Sequence, residues 1–111
     1  MKVVITSQGN TPESIMDMHF GRCAYFVFYD TDSDSTEFVP NTNKNNLDGV
    51  GLESARFVAA KGAKTVISGD FGEKVKPLFD QLQIQLILIP DSKKTISQII
   101  KVLKRWSFYK N

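Results

Sequence analysis

Hydrophobic positions along this chain alternate between short β-branched runs and stripes at helical spacing, separated by segments rich in Gly, Asn, Asp and Pro. Lys2-Val3-Val4-Ile5-Thr6 is the first run and predicts a buried strand. Residues 7–18 then lose all periodicity and contain Gly9, Asn10 and Pro12, which predicts a long loop. Loops of that length inside a compact domain are usually functional or mobile. Ala24 to Asp30 is apolar at almost every position, as suits an interior strand covered on both faces. Thr31-Asp32-Ser33-Asp34 predicts a turn that returns Ser35 to Val39 as an antiparallel partner, and Pro40 ends it. Asn41 to Asn46 reads as a polar connector with no core-forming residue.

The period changes in the second half. Leu52, Ala55, Phe57, Val58 and Ala59 have helical spacing, with Gly62 where a C-cap belongs. Thr65 to Ser68 reads as a strand. Val75, Leu78, Phe79 and Leu82 share one helical face, and Pro77 confines the start of regular hydrogen bonding to about Glu73 to Val75. Ile84 to Ile89 is a further strand, stopped by Pro90. Thr95 and Gln98 form a capping box for a last helix that turns Ile96, Ile99, Ile100 and Leu103 inward. The order β-β-β-α-β-α-β-α is a hairpin leading into strand–helix crossovers, which are right-handed and set helices against a largely parallel sheet. The expected fold is α/β: one domain over residues 1–111, with a mixed sheet of about five strands and helices on its faces.

Composition changes this picture little. The chain is 41% hydrophobic and 23% charged, which is ordinary for a globular domain. Its formal net charge of +2 does not by itself mark a nucleic-acid binder. Lys101, Lys104, Arg105 and Lys110 do cluster with Trp106, Phe108 and Tyr109, a pattern able to grip single strands. A solvated last helical turn accounts for the same residues more simply, so no nucleic-acid partner is expected. The chain opens directly on a strand, and its longest apolar stretch, Leu86 to Ile89, is too short for a membrane. A single cysteine excludes an internal disulfide, and the expected compartment is the cytoplasm.

Chemistry concentrates in His19-Phe20-Gly21-Arg22-Cys23, which holds the only histidine and the only cysteine. Imidazole and thiolate are the side chains that bind soft metals and iron–sulfur species, and guanidinium is a usual partner for anions. A closed structural zinc site needs four protein ligands and is excluded. Extended, the four steps from His19 to Cys23 span about 13 Å, too far for one ion unless the chain folds at Gly21. His19 and Cys23 are thus candidate ligands flanking something larger than an ion, with a buried structural cysteine as the simpler alternative. Two glycine motifs add backbone N–H groups at helix starts, Asp48-Gly49-Val50-Gly51 and Ser68-Gly69-Asp70-Phe71-Gly72. Neither is a full nucleotide fingerprint, and the second has no P-loop lysine.

These motifs together resemble the dinitrogenase iron–molybdenum cofactor biosynthesis family, which includes NifX and the C-terminal domain of NifB. The resemblance runs from Val3-Val4-Ile5 through His19-Phe20-Gly21-Arg22, the Gly49-Val50-Gly51 helix start and the Ser68 to Gly72 loop to the last strand and helix. It implies a ribonuclease H-like α/β/α fold and non-catalytic binding, storage or transfer of iron–sulfur or molybdenum-containing clusters. By that resemblance His19 and Cys23 are the expected metal ligands, and Gly21, Arg22, Asp48, Gly49, Gly51, Gly69 and Gly72 the cofactor-binding residues. Cluster donor and acceptor proteins are the expected partners, with a second copy of the chain among the candidates. Two positions depart from the family pattern: Asp48 stands where a histidine is common, and Glu73 follows Gly72 where proline is frequent. A carboxylate is a poorer ligand for a sulfide cluster. The alternative reading is a small-anion-binding or protein-interaction module that no longer binds a cluster.

Overall fold

The computed structural model describes residues 1–45, 49–90 and 93–110, with side chains described up to Arg105. The Trp106, Phe108, Tyr109 and Lys110 side chains of the C-terminal cluster, and Asp48, lie outside the described residues. Eight elements follow in the order expected: β1 (Lys2–Ser7), β2 (Tyr25–Asp30), β3 (Ser35–Pro40), α1 (Val50–Ala60), β4 (Ala63–Ser68), α2 (Val75–Gln81), β5 (Gln85–Leu88) and α3 (Ile96–Lys110). The sheet order is β3-β2-β1-β4-β5. β1 and β3 both run antiparallel to β2, while β4 and β5 extend the sheet in parallel from β1.

Strand alternation divides the core into two layers. Val4, Phe26, Phe28 and Val66 point to one face, where Ala55 and Val58 of α1 and Val75 and Phe79 of α2 cover them. Val3, Ile5, Val27, Tyr29 and Ile67 point to the other, under Ile96, Ile99 and Leu103 of α3. This is a three-layer α/β arrangement with a five-stranded mixed sheet and three helices. The unbroken apolar run in β2 has its reason here, since both of its faces are buried.

The segment 7–18 is not a free loop. Met16 is fully buried, and short bridges join Ser7 to Met16 and Ile15 to Thr95. Its carbonyls serve α3: Ile96 N donates to Ser14 O at 2.9 Å and Ser97 N to Pro12 O at 2.8 Å. They satisfy N–H groups that a helix start otherwise leaves without partners. The expected capping box completes the job, with Thr95 N donating to Gln98 Oε1 at 2.9 Å and Gln98 N to Thr95 Oγ1 at 3.1 Å.

α2 ends one residue short of the last position in the hydrophobic stripe. Leu82, expected on the buried face, is 39% exposed. The helix closes in a Schellman motif, with Ile84 N donating to Phe79 O at 2.9 Å and Gln83 N to Asp80 O at 3.1 Å. That motif requires a left-handed residue, and Gln83 supplies it at φ 57. The corresponding position after α1 is Gly62, at φ 91. A side chain in that region costs about 1–2 kcal/mol, part of which glycine loses again in backbone entropy. Gln83→Gly is therefore expected to stabilise the fold by about 0.5–1 kcal/mol. A higher urea midpoint at unchanged slope is the expected reading; a lower midpoint would mean that the glutamine side chain contributes packing that outweighs its strained backbone.

Candidate functional site

Three loops meet beyond the C-terminal ends of β1 and β4, the edge where parallel α/β sheets commonly bind ligands. Buried polar groups hold them together. Thr6 Oγ1 and Ser68 Oγ lie 2.8 Å apart, and both hydroxyls face the Asp17 carbonyl, at 2.7 and 3.4 Å. Phe20 N donates to Asp70 O at 3.2 Å, tying the His19–Cys23 segment to the loop after β4. Phe20 itself is an anchor. Its ring centroid lies 6.0 Å from Phe26, 5.4 Å from Phe71 and 5.5 Å from Phe79.

Gly21 brings this segment against the α1 backbone. It sits at φ 99, and a Cβ there would lie 3.1 Å from Gly51 Cα and 3.2 Å from Gly51 N. Only glycine lets this segment rest directly on the first turn of α1. Gly69 serves a similar purpose elsewhere, because a Cβ on it would collide with Met18 Sδ and Cε.

Asn41 locks the arrangement from the other side. Its Nδ2 donates to Gly21 O at 2.9 Å and Cys23 O at 3.0 Å, and its Oδ1 accepts from Asn43 N at 3.1 Å. The 41–46 segment thus holds a buried residue after all, and the expectation of a connector with no part in the core fails at Asn41. Its place directly after a strand-ending proline is the one thing that sets Asn41 apart from the other asparagines of this segment in the sequence.

The two expected metal ligands occupy opposite environments. His19 is exposed, and its backbone N donates to Asp17 Oδ1 at 3.0 Å. Cys23 is 0% exposed and belongs to the core beneath α1 and α2. Burial, reinforced by the Asp17 carboxylate, pushes its thiol up to about 12. A thiol buried and protonated in this way would have to gain access and lose its proton before it could ligate a metal. Among the described residues no three His, Cys, Asp or Glu side chains gather to hold a metal ion.

The remaining residues build a cleft. A space of about 430 Å³ is lined by Arg22, Gly49, Gly51, Gly72, Glu73 and Lys74, with apolar side chains between them. Gly49 stands at the N-cap of α1 in left-handed conformation, and among the described residues no side chain caps the helix. The start of a helix presents N–H groups at the end where its dipole is positive, which suits an anion. Arg22 is exposed at its rim and donates from Nη1 to Lys44 O at 2.9 Å. Lys74 faces the same space, and Glu73 is its one acidic lining residue among those described. Of the expected site residues, Arg22, Gly49, Gly51 and Gly72 come together here, with Gly21 packed behind Gly51. Gly69, Cys23 and His19 lie outside the lining set. Lys74 was hidden among ordinary surface lysines.

Fold and site together define a small three-layer α/β domain whose loops open a cleft at the C-terminal ends of β1 and β4. The chain belongs to the dinitrogenase iron–molybdenum cofactor family, whose model matches residues 1–106. It is 30% identical to an uncharacterised protein of Methanocaldococcus jannaschii over 89 residues, covering 78% of this chain and 72% of that one. Its fold is that of the apo orange protein from Desulfovibrio gigas, with a TM-score of 0.86 at 24% identity over 95% of this chain and 88% of that one. A candidate NifB protein from Thermotoga superposes with a TM-score of 0.79 at 24% identity, covering 94% and 87%.

Two consequences can be measured. Gly21→Ala adds a left-handed side chain against the α1 backbone and is expected to cost about 2–3 kcal/mol in urea unfolding; a neutral result would mean that α1 and the loop are not in tight contact. The raised Cys23 and Tyr29 groups, both pushed up to about 12 chiefly by burial, give a pH dependence. A raised folded-state value means full stability below the unfolded values, about 8.5 for the thiol and about 10 for the phenol. Stability is then lost progressively as pH climbs toward 12. Cys23→Ala should flatten the early part of that decline, and the wild-type thiol should resist aromatic disulfide reagents at pH 8 until denaturant is added. Rapid labelling of the folded protein would place the thiol at the surface.

Proposed function

We propose that this chain is a non-catalytic carrier for an anionic metal–sulfur cluster of the iron–sulfur or iron–molybdenum type. The observation that carries the reading is the cleft that Arg22, Lys74 and the first turn of α1 line together. A cluster that brings its own sulfide ligands needs few protein donors; it needs hydrogen-bond donors and positive charge, which this cleft offers. His19, the one exposed soft ligand, supports a supplementary contact from the adjoining loop. Membership in the cofactor family supports the same cargo. The buried, protonated Cys23 is unsuited to nucleophilic chemistry, which favours binding over catalysis. The three-layer sheet is compatible with the ribonuclease H-like architecture that this reading carries with it. Exchange with donor and acceptor proteins in the cytoplasm completes the role.

The scarcity of accessible soft ligands favours one second reading, a receptor for small oxyanions at the same cleft. Both are tested by anaerobic incubation with tetrathiomolybdate, or with iron, sulfide and molybdate, followed by gel filtration. A chromophore should elute with the protein. Charge-assisted hydrogen bonds are worth about 1.5–3 kcal/mol each, so Arg22→Ala with Lys74→Ala should weaken retention by about 100-fold or more. His19→Ala should shift the visible spectrum with a smaller loss. No retained chromophore, or retention indifferent to Arg22 and Lys74, would sink the carrier reading. Phosphate binding without thiomolybdate uptake would establish the second one.

A further inference from the structure

The carrier reading leaves untouched a second surface, on the opposite face of the sheet. β5 is an edge strand of four residues, hydrogen-bonded to β4 on one side, and no described strand pairs with its other side. Such an edge presents a row of main-chain donors and acceptors to any extended segment. Leu88 on it is 51% exposed. Beside this edge lies an apolar groove of about 350 Å³ between Ile87 and Ile89 of the sheet side and Ile99 and Val102 of α3. Val102 is 63% exposed, a large apolar side chain turned to solvent.

Charge selects the occupant. Lys94 lines the groove, and no acidic residue among those described does. Lys101 and Arg105 follow Gln98, which lines the groove, at three and seven residues along α3, so the three share one side of the helix, and both cations are exposed. A second copy of this chain would bring the same cations against these. An extended segment with alternating acidic and apolar side chains answers every feature: main chain for the β5 edge, apolar side chains for the groove, carboxylates for Lys94, Lys101 and Arg105. We infer that β5 and its groove form a docking site where an acidic, apolar-alternating segment of another protein adds a strand to the sheet. Strand addition of this kind draws affinity from main-chain bonds and specificity from alternate side chains.

The probe is a fluorescein-labelled seven-residue peptide alternating glutamate and valine, titrated into the full chain by anisotropy at low salt. A lysine–valine peptide and a glutamate–valine peptide N-methylated along one edge serve as controls. Binding of the acidic peptide should exceed that of both controls by at least 10-fold, with amide shifts at residues 85–88 in NMR. Lys101→Glu with Arg105→Glu should weaken it by 10-fold or more, and so should Val102→Glu, while thiomolybdate retention in these variants stays as in wild type and reports an intact fold. Equal binding of acidic and basic peptides, indifference to N-methylation, or no binding at all would overturn the inference. So would concentration-dependent dimerisation abolished by Val102→Glu, which would assign the groove to a second copy.

Discussion

The contact between Gly21 and Gly51 governs the functional end of this molecule. Two backbones approach there to a distance that leaves no room for a Cβ. Everything near the cleft follows from that approach. It lays the His19–Cys23 segment across the first turn of α1, so Phe20 turns inward to the aromatic cluster and Arg22 turns outward to the rim. It also makes Cys23 the next inward residue, buried beneath the helices. A segment that looks like a run of reactive side chains is therefore a structural splice with one charged residue exposed on the cleft side.

Irregular backbone at such a splice needs its polar groups satisfied, because buried amides and carbonyls without partners are costly. Thr6, Ser68 and Asn41 do this from three directions, each bonded to main-chain carbonyls of the loop that they hold. These bonds fix the His19–Cys23 segment that carries Arg22 to the cleft rim. One buried group stands apart: Ser54 Oγ, on α1 behind these loops, has no hydrogen-bond partner among the described residues.

The strand and helix order was legible because each element announced its own period. β2 could be read as central from its uninterrupted apolar run, and α3 could be oriented from its capping box and inward isoleucines. Boundaries that depend on geometry were less visible. Leu82 continues the helical stripe in sequence, yet the Schellman turn at Gln83 takes it off the core, because a terminating backbone outweighs one more apolar contact. The candidate site was legible only as a set of motifs. Arg22, Gly49, Gly51 and Gly72 do converge, while Cys23 does not join them, since chemical reactivity in a residue list carries no information on solvent access. Asn41 and Lys74 escaped notice for the converse reason: their importance comes from what the fold brings beside them.

On the proposed carrier reading, cargo has to be released as well as held, and the composition of this cleft suits that demand. Thiolate ligation would bind a cluster through covalent bonds that exchange slowly, whereas amides and two cations bind through interactions that salt and competing anions weaken. On the same reading, burial of Cys23 away from the cleft lining would favour fast exchange. The geometry of the sheet adds a further condition. The cleft belongs to the α1 and α2 side, and the β5 groove to the α3 side. A protein that docks by strand addition on β5 would leave the cleft mouth open, so recognition of a partner and possession of the cargo need not compete. Because β4 runs between the two surfaces, pairing to β5 on one edge and carrying Ser68 into the loop lock at its end, a strand added to β5 lies one strand away from the residues that set the cleft.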